Sequence, residues 1–219
     1  MKILVTGDIH GRFAILNDLI NRKKPELVIC CGDFGYWPKI KSQEKLSNIK
    51  LGKAKLLWCD GNHEDHWSLR NRTTDELEKN IFYMPRGSTY TLEDGRTILF
   101  MGGADSIDKD ERIIGFDWFP DEVITYKDLL NLPKCKVDIV ISHTCPLEIV
   151  PEMARYRWKQ GEPSNKALSE IWNIYKPSLA FFGHWHRNAK GILETTEWFC
   201  LSQAGDIYRW WMWLPQKIA

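Results

Sequence analysis

Leu179-Ala180-Phe181-Phe182-Gly183-His184-Trp185-His186 is the stretch from which the chain is best read. Four apolar residues in a row fit a strand buried on both faces, and the glycine that ends them hands over to two histidines on an exit loop. The arrangement recurs upstream. Lys2 to Thr6 runs into Gly7-Asp8-Ile9-His10, Leu27 to Cys31 into Gly32-Asp33, Ala54 to Cys59 into Gly61-Asn62-His63-Glu64, and Val137 to Ile141 into Ser142-His143. Polar side chains just past strand ends, on loops held by a rigid sheet, are where α/β proteins build their sites. Five of the six histidines belong to this set, and only His66 falls outside it.

Between these blocks the pattern is uneven. Phe13, Leu16, Leu19 and Ile20 recur at helical spacing over 12–22, and Pro25 stops them. The sequence predicts a weak helix over 42–50, helical turns over 65–72 and 74–79, and strands over 81–84, 89–92 and 97–101. The last two strands join through the turn Glu93-Asp94-Gly95-Arg96. Residues 104–121 are charged, aromatic and without period, the mark of a functional insert. Asp121 is read as the cap of a helix to about 130, residues 151–163 as a second insert, and 164–175 as a helix with Pro177 beyond it. Strands near 196–202 and 206–213 close the chain as a meander. With no repeat or linker, 1–219 reads as a single domain.

At 219 residues and a formal charge of +1, the chain can bury a core unaided and carries no global field toward nucleic acid or a membrane. Cys30, Cys31, Cys59, Cys135, Cys145 and Cys200 form no Cys-x-x-Cys pair and read as reduced thiols. The first residues open directly into a strand, and no apolar run approaches the roughly 18 residues of a membrane span. A soluble, cytoplasmic protein without a membrane partner is expected.

Asp8, His10, Asp33, Asn62, His143, His184 and His186 offer oxygen and nitrogen donors and no thiolate. Such a set suits first-row divalent ions and is too large for one of them. Two ions fit better, manganese first, with iron, zinc, nickel or magnesium as alternatives, and Asp33 is the candidate bridge. Ions about 3.5–4 Å apart clamp the attacking and leaving oxygens of a displacement at phosphorus and lower the pKa of a bound water.

In their order these blocks resemble the calcineurin-like metallophosphoesterases, whose pattern is Asp-x-His, Gly-Asp, Gly-Asn-His-Asp/Glu, His and Gly-His-x-His. The match runs from Asp8 to His186. The resemblance implies an α/β fold, a four-layer α/β/β/α sandwich with two mixed β-sheets. It implies that Asp8, His10 and His186 hold one metal and Asn62, His143 and His184 the other, with Asp33 between. It also implies that His63 protonates the leaving oxygen, with Asn62 and Asp33 in the catalytic group.

The chain departs from the family's protein serine/threonine phosphatases where it reads Asp33-Phe34-Gly35-Tyr36-Trp37 and Asp60-Gly61, since their phosphate-gripping arginines are missing there. Gly7-Asp8-Ile9-His10-Gly11 is, however, the form those phosphatases carry. The stretch around Gly102-Gly103-Ala104-Asp105-Ser106, Arg112 and Asp117-Trp118-Phe119-Pro120 resembles small bacterial and phage members.

Arg112, Trp37 and Trp185 are substrate-binding candidates, although Arg112 reads equally as a salt-bridged surface residue and the tryptophans, Trp118 and Trp158 included, as packing residues. Arg155-Tyr156-Arg157-Trp158-Lys159 interleaves charge and aromatics as single-strand binders do, and as a solvated loop also would. The expected activity is hydrolysis of a nucleotide or small phosphodiester. The rivals are a Ser/Thr-type phosphomonoesterase, a single-strand nuclease and a binding scaffold without turnover. A dinucleotide site fails, because Gly7 and Gly11 do not make Gly-x-Gly-x-x-Gly.

Overall fold

The computed structural model describes residues 1–153 and 162–217; the Arg155-to-Lys159 stretch and Trp158 lie outside the described residues. Its strands, in chain order, are β1 (Ile3–Thr6), β2 (Leu27–Cys30), β3 (Lys55–Trp58), β4 (Glu76–Glu78), β5 (Ile81–Tyr83) and β6 (Thr89–Thr91). They continue with β7 (Thr97–Met101), β8 (Ile139–Ser142), β9 (Leu179–Phe182), β10 (Ala189–Leu193), β11 (Thr196–Cys200) and β12 (Trp211–Trp213). The helices are α1 (Phe13–Lys23), α2 (His66–Arg70), α3 (Tyr126–Leu130), α4 (Val150–Met153) and α5 (Pro163–Tyr175). Among the described residues no helix is long and apolar enough to cross a membrane.

Two six-stranded sheets form, ordered β12-β1-β2-β3-β5-β4 and β10-β11-β9-β8-β7-β6. Each has four parallel strands in the middle and one antiparallel strand at either edge. The apolar runs are explained by alternation, since successive side chains of a strand point to opposite faces and here both faces are buried. Ile3, Val5, Leu27 and Ile29 meet Phe100, Ile139, Ile141 and Phe181 between the sheets. Leu4, Val28, Leu56 and Trp58 point outward onto Phe13, Leu16 and Leu19 of α1. On the far side Leu99, Val140, Ala180 and Phe182 meet Leu168, Ile171 and Trp172 of α5. The result is the α/β/β/α sandwich. Cys31 and Cys59 serve in the inter-sheet core as small hydrophobes.

Several local expectations give way. Residues 74–79 hold strand β4, not a helical turn: Leu77 packs on the α1-side core while Glu76 and Glu78 face solvent, a charged edge that blocks further pairing. Only a 3₁₀ turn, Leu46–Asn48, appears in 42–50, where Leu46 and Ile49 pack on the α1-side core but the remaining residues are polar and offer a longer helix nothing to bury. The helix expected from Asp121 begins later, because Thr125 and Asp128 form a capping box while 120–122 is a 3₁₀ turn. The closing meander is absent. β11 pairs with β10, which the sequence reading missed, and β12 crosses to the other sheet beside β1.

Candidate metal centre

Three ligand loops leave β1, β2 and β3 of one sheet, and two leave β8 and β9 of the other. They converge. His186 Nε2 lies 3.2 Å from Asp8 Oδ2 and 3.1 Å from His10 Nε2, and His10 Nε2 lies 3.7 Å from Asp33 Oδ2. The other oxygen of Asp33 is 3.3 Å from His143 Nε2, which is 3.1 Å from Asn62 Oδ1; His184 Nδ1 is also 3.1 Å from that oxygen. All seven expected ligand residues therefore meet, with the Asp33 carboxylate between a group of Asp8, His10 and His186 and a group of Asn62, His143 and His184.

Two motif glycines owe their identity to this crowding. A Cβ on Gly183 would fall inside the Asp8 carboxylate, and one on Gly61 inside that of Asp33. The backbone is strained as well: His10, Asp33, His184 and His186 have φ of 49°, 43°, 66° and 47°, in the left-handed region that side chains disfavour. Glu64 helps to hold this geometry, because its buried carboxylate accepts from the backbone N–H of Phe34, Gly35 and Gly61 at 2.6, 3.1 and 2.7 Å. Phe34, buried and stacked on Trp58 at 4.9 Å, pins the same loop from the α1 side. The sequence signal for Glu64 was its place in the third block, which gave it no role.

Hydrogen bonding tests whether the residues fit a cation. His143 Nδ1 lies 2.8 Å from the carbonyl of Cys31, which only accepts, so one ring proton sits there and Nε2 is the atom turned toward the oxygens Asn62 Oδ1 and Asp33 Oδ1. Oxygens gathered around this nitrogen call for a positive charge, which a second ring proton on Nε2 can supply and a bound cation would supply in its place. Burial opposes charging of His143, yet Asp33, Asp8 and the Cys31 carbonyl outweigh it and hold its pKa up to about 10. Asp33 is driven the other way: burial resists its ionisation, but His143, His63 and His10 keep it well below the usual carboxylate range. Burial and the neighbouring His143 push His184 down to about 3, leaving it neutral, as a ligand must be. The donor set fits divalent ions.

His63 stands beside this group. Burial lowers its pKa and the Arg112 cation adds to that, against the pull of Asp33. Arg112 Nη1 is 2.8 Å from His63 Nδ1 and Nη2 is 3.2 Å from Nε2, while Nη2 also donates to Asp108 Oδ2 at 2.7 Å and Nη1 to the Asp117 carbonyl at 3.2 Å. Arg112, His63, His10, Trp37 and Asp117 line a cleft of about 240 Å³. Trp37 packs 6.1 Å from Phe119, tying the cleft wall to the 104–121 insert. Trp185 is set apart from the cleft, edge-on to the His184 ring at 5.4 Å and packed on the α5-side core. Trp118 lies in the same insert, its backbone carbonyl accepting from Gly115 N–H at 2.8 Å.

Asp60, where the protein phosphatases carry an arginine, is itself buried against one. Arg86 Nη2 and Nε donate to Asp60 Oδ2 at 2.6 and 3.0 Å, and the same guanidinium reaches the carbonyls of Asp121, Glu122 and Val123. Burial resists ionisation of Asp60, but Arg86 chiefly holds it at about 2. The pair ties the third ligand loop to the base of the insert.

Known proteins resemble the chain at two levels. In sequence, the chain is 25% identical over 137 residues to CWF19-like protein 1 of Pongo abelii, an alignment covering 59% of this chain and 25% of that protein. The chain thus spans about a quarter of the length of that relative. In structure, it resembles TT1561 of Thermus thermophilus (TM-score 0.58, 16% identity, 93% of this chain and 89% of that one). The phosphopantetheinyl hydrolase of Mycobacterium tuberculosis has the same fold (TM-score 0.51, 14% identity, 97% and 96% covered). The sequence pattern of the calcineurin-like phosphoesterases matches residues 1–188, which is most of the chain and includes every ligand loop, and the protein therefore belongs to the calcineurin-like phosphoesterase family.

Proposed function

We propose that the protein is a hydrolase of phosphodiesters working with two divalent metal ions, manganese first among them. The observation that carries this reading is the convergence of Asp8, His10, Asn62, His143, His184 and His186 on Asp33, which is shared between two ligand groups. Asp8, His10 and His186 would hold one ion, Asn62, His143 and His184 the other, and Asp33 would bridge. When bound, such a pair supplies a water of lowered pKa as nucleophile and neutralises charge on the phosphoryl oxygens. The residues do the rest. Arg112 grips a non-bridging oxygen, and its anchoring by Asp108 and the Asp117 carbonyl holds it over the cleft. His63 protonates the departing oxygen. Trp37 offers an apolar wall to the second ester group, and a nucleotide or other small diester suits a cleft of about 240 Å³.

Arg112 also favours a second reading, a phosphomonoesterase, since it brings to His63 an arginine that the motif loops lack. Its charge arrives already paired with Asp108, which leaves little to balance the extra charge of a monoester, so the diester is preferred. The test is the ratio of kcat/KM for bis-nitrophenyl phosphate and nitrophenyl phosphate at fixed manganese. A ratio at or above one is expected. A strong monoester preference would establish the second reading, and no turnover of either ester with bound metal would leave a scaffold.

A further inference from the structure

Whether Asn62 can be a ligand depends on which end of its amide faces the histidines. The carbonyl oxygen can coordinate a cation and the NH2 cannot. Asn62 Nδ2 donates to Ser106 Oγ at 2.9 Å, while Oδ1 faces His143 and His184. The Ser106 hydroxyl is itself committed. It donates to Glu122 Oε2 at 2.8 Å, and the Ser106 backbone N–H donates to Glu122 Oε1 at 2.7 Å. With its proton spent on the carboxylate, Oγ has only a lone pair for Asn62, and only the NH2 end of the amide can satisfy it. Asn62, Ser106 and Glu122 are 3%, 5% and 1% exposed, so water cannot easily take the place of any member. An unpaired polar group in such surroundings is costly.

We infer that Ser106 and Glu122 are positioning residues that set the polarity of the Asn62 amide and so hold its oxygen toward the second cation site. The inference rests on the proposed role of Asn62 as a ligand. It has a consequence opposite to what side-chain size suggests. In Glu122→Gln the carboxamide oxygen keeps the Ser106 N–H, and the new NH2 faces Ser106 Oγ as a donor. The hydroxyl proton is then free to go to its other partner, Asn62, which draws Oδ1 toward Ser106 and turns the Asn62 NH2 toward His143 and His184. Ser106→Ala removes the guide without reversing it. The nearly isosteric change is therefore the more damaging one.

The test is a manganese titration by calorimetry of wild type, Ser106→Ala and Glu122→Gln, with ¹⁵N spectra of the Asn62 side-chain amide in the metal-free proteins. Loss of an outer partner typically weakens metal binding about 10- to 100-fold. The ion held by Asn62, His143 and His184 should bind about 10-fold more weakly in Ser106→Ala and about 100-fold more weakly in Glu122→Gln, with the ion held by Asp8, His10 and His186 little changed and the Asn62 amide resonances displaced in both variants. Equal weakening of both ions, or a smaller effect from Glu122→Gln than from Ser106→Ala, would overturn the inference. Should Glu122→Gln not fold, the selective loss in Ser106→Ala decides alone. An Asn62 amide that does not respond to either variant refutes the relay whatever the metal count. A wild type that binds fewer than two ions while its Asn62 amide does respond refutes the dinuclear reading and leaves the orientation standing.

Discussion

Replacing Arg112 by alanine removes one cation from the cleft, and its cost can be worked from the contacts. A hydrogen bond to a charged group is worth about 1.5–3 kcal/mol net. To reach a phosphate, the guanidinium gives up its 2.8 Å contact with His63, itself worth about 1 kcal/mol, while keeping Asp108. The balance is about 0.5–2 kcal/mol, a roughly 2- to 30-fold effect. Because the contact is made to a non-bridging oxygen in ground and transition states alike, it should appear in KM more than in kcat. Steady-state kinetics of Arg112→Ala on a nitrophenyl diester measure this, with Arg112→Lys recovering part of the loss, since one ammonium cannot serve Asp108, the Asp117 carbonyl and a phosphate with the same geometry. An unchanged KM, or a fall in kcat at constant KM, would refute the role.

His63→Ala should lower kcat by roughly 100- to 10,000-fold, less for good leaving groups, with metal content unchanged; equal losses for nitrophenolate and alkoxide would show that it donates no proton. Asp60→Asn leaves the buried Arg86 without its main partner and should cost about 3–5 kcal/mol, lowering Tm by roughly 6–20 °C by scanning calorimetry. A shift under about 2 °C would mean that Asp128 and the insert carbonyls suffice, on the scale of roughly 2–4 °C per kcal/mol. Burial opposes ionisation of Asp138, but Lys136 and the Thr97 N–H outweigh it and hold the carboxyl below its ordinary value. Its stabilisation is thus present above about pH 4 and lost as pH falls through the lowered folded value. Asp138→Asn should flatten that acid-side loss in urea melts, and curves parallel to wild type would contradict it.

What could be read from the sequence follows from burial. Central strands buried on both faces announce themselves as apolar runs, and the loops they release carry the motif residues, so Asp8 through His186 could be placed before any coordinates. Helices α1 and α5 were legible because each shows the core one stripe, Phe13 to Ile20 and Leu168 to Trp172. Edge strands carry no such signal: β10 is broken by Gly191 and exposes Ile192, and β4 alternates with glutamates. Polar partners distant in sequence have no period at all. Ser106 lies 44 residues from Asn62 and Arg86 26 from Asp60, so the residues that orient the ligand loops could not be found by pattern. Arg112 falls between these cases: its place in the aperiodic insert marks it, but only the fold of that insert onto His63 separates a cleft role from a surface one.

The central claim is a pair of cations bridged by Asp33. Electron paramagnetic resonance of the manganese-loaded protein tests it most directly, because ions about 3.5–4 Å apart are exchange-coupled whereas separate ions are not. Wild type should bind two manganese ions with a coupled spectrum, and Asp33→Asn should lose the coupling together with most of the metal. An uncoupled spectrum from a single ion in wild type, or a coupled pair that survives Asp33→Asn, would contradict it.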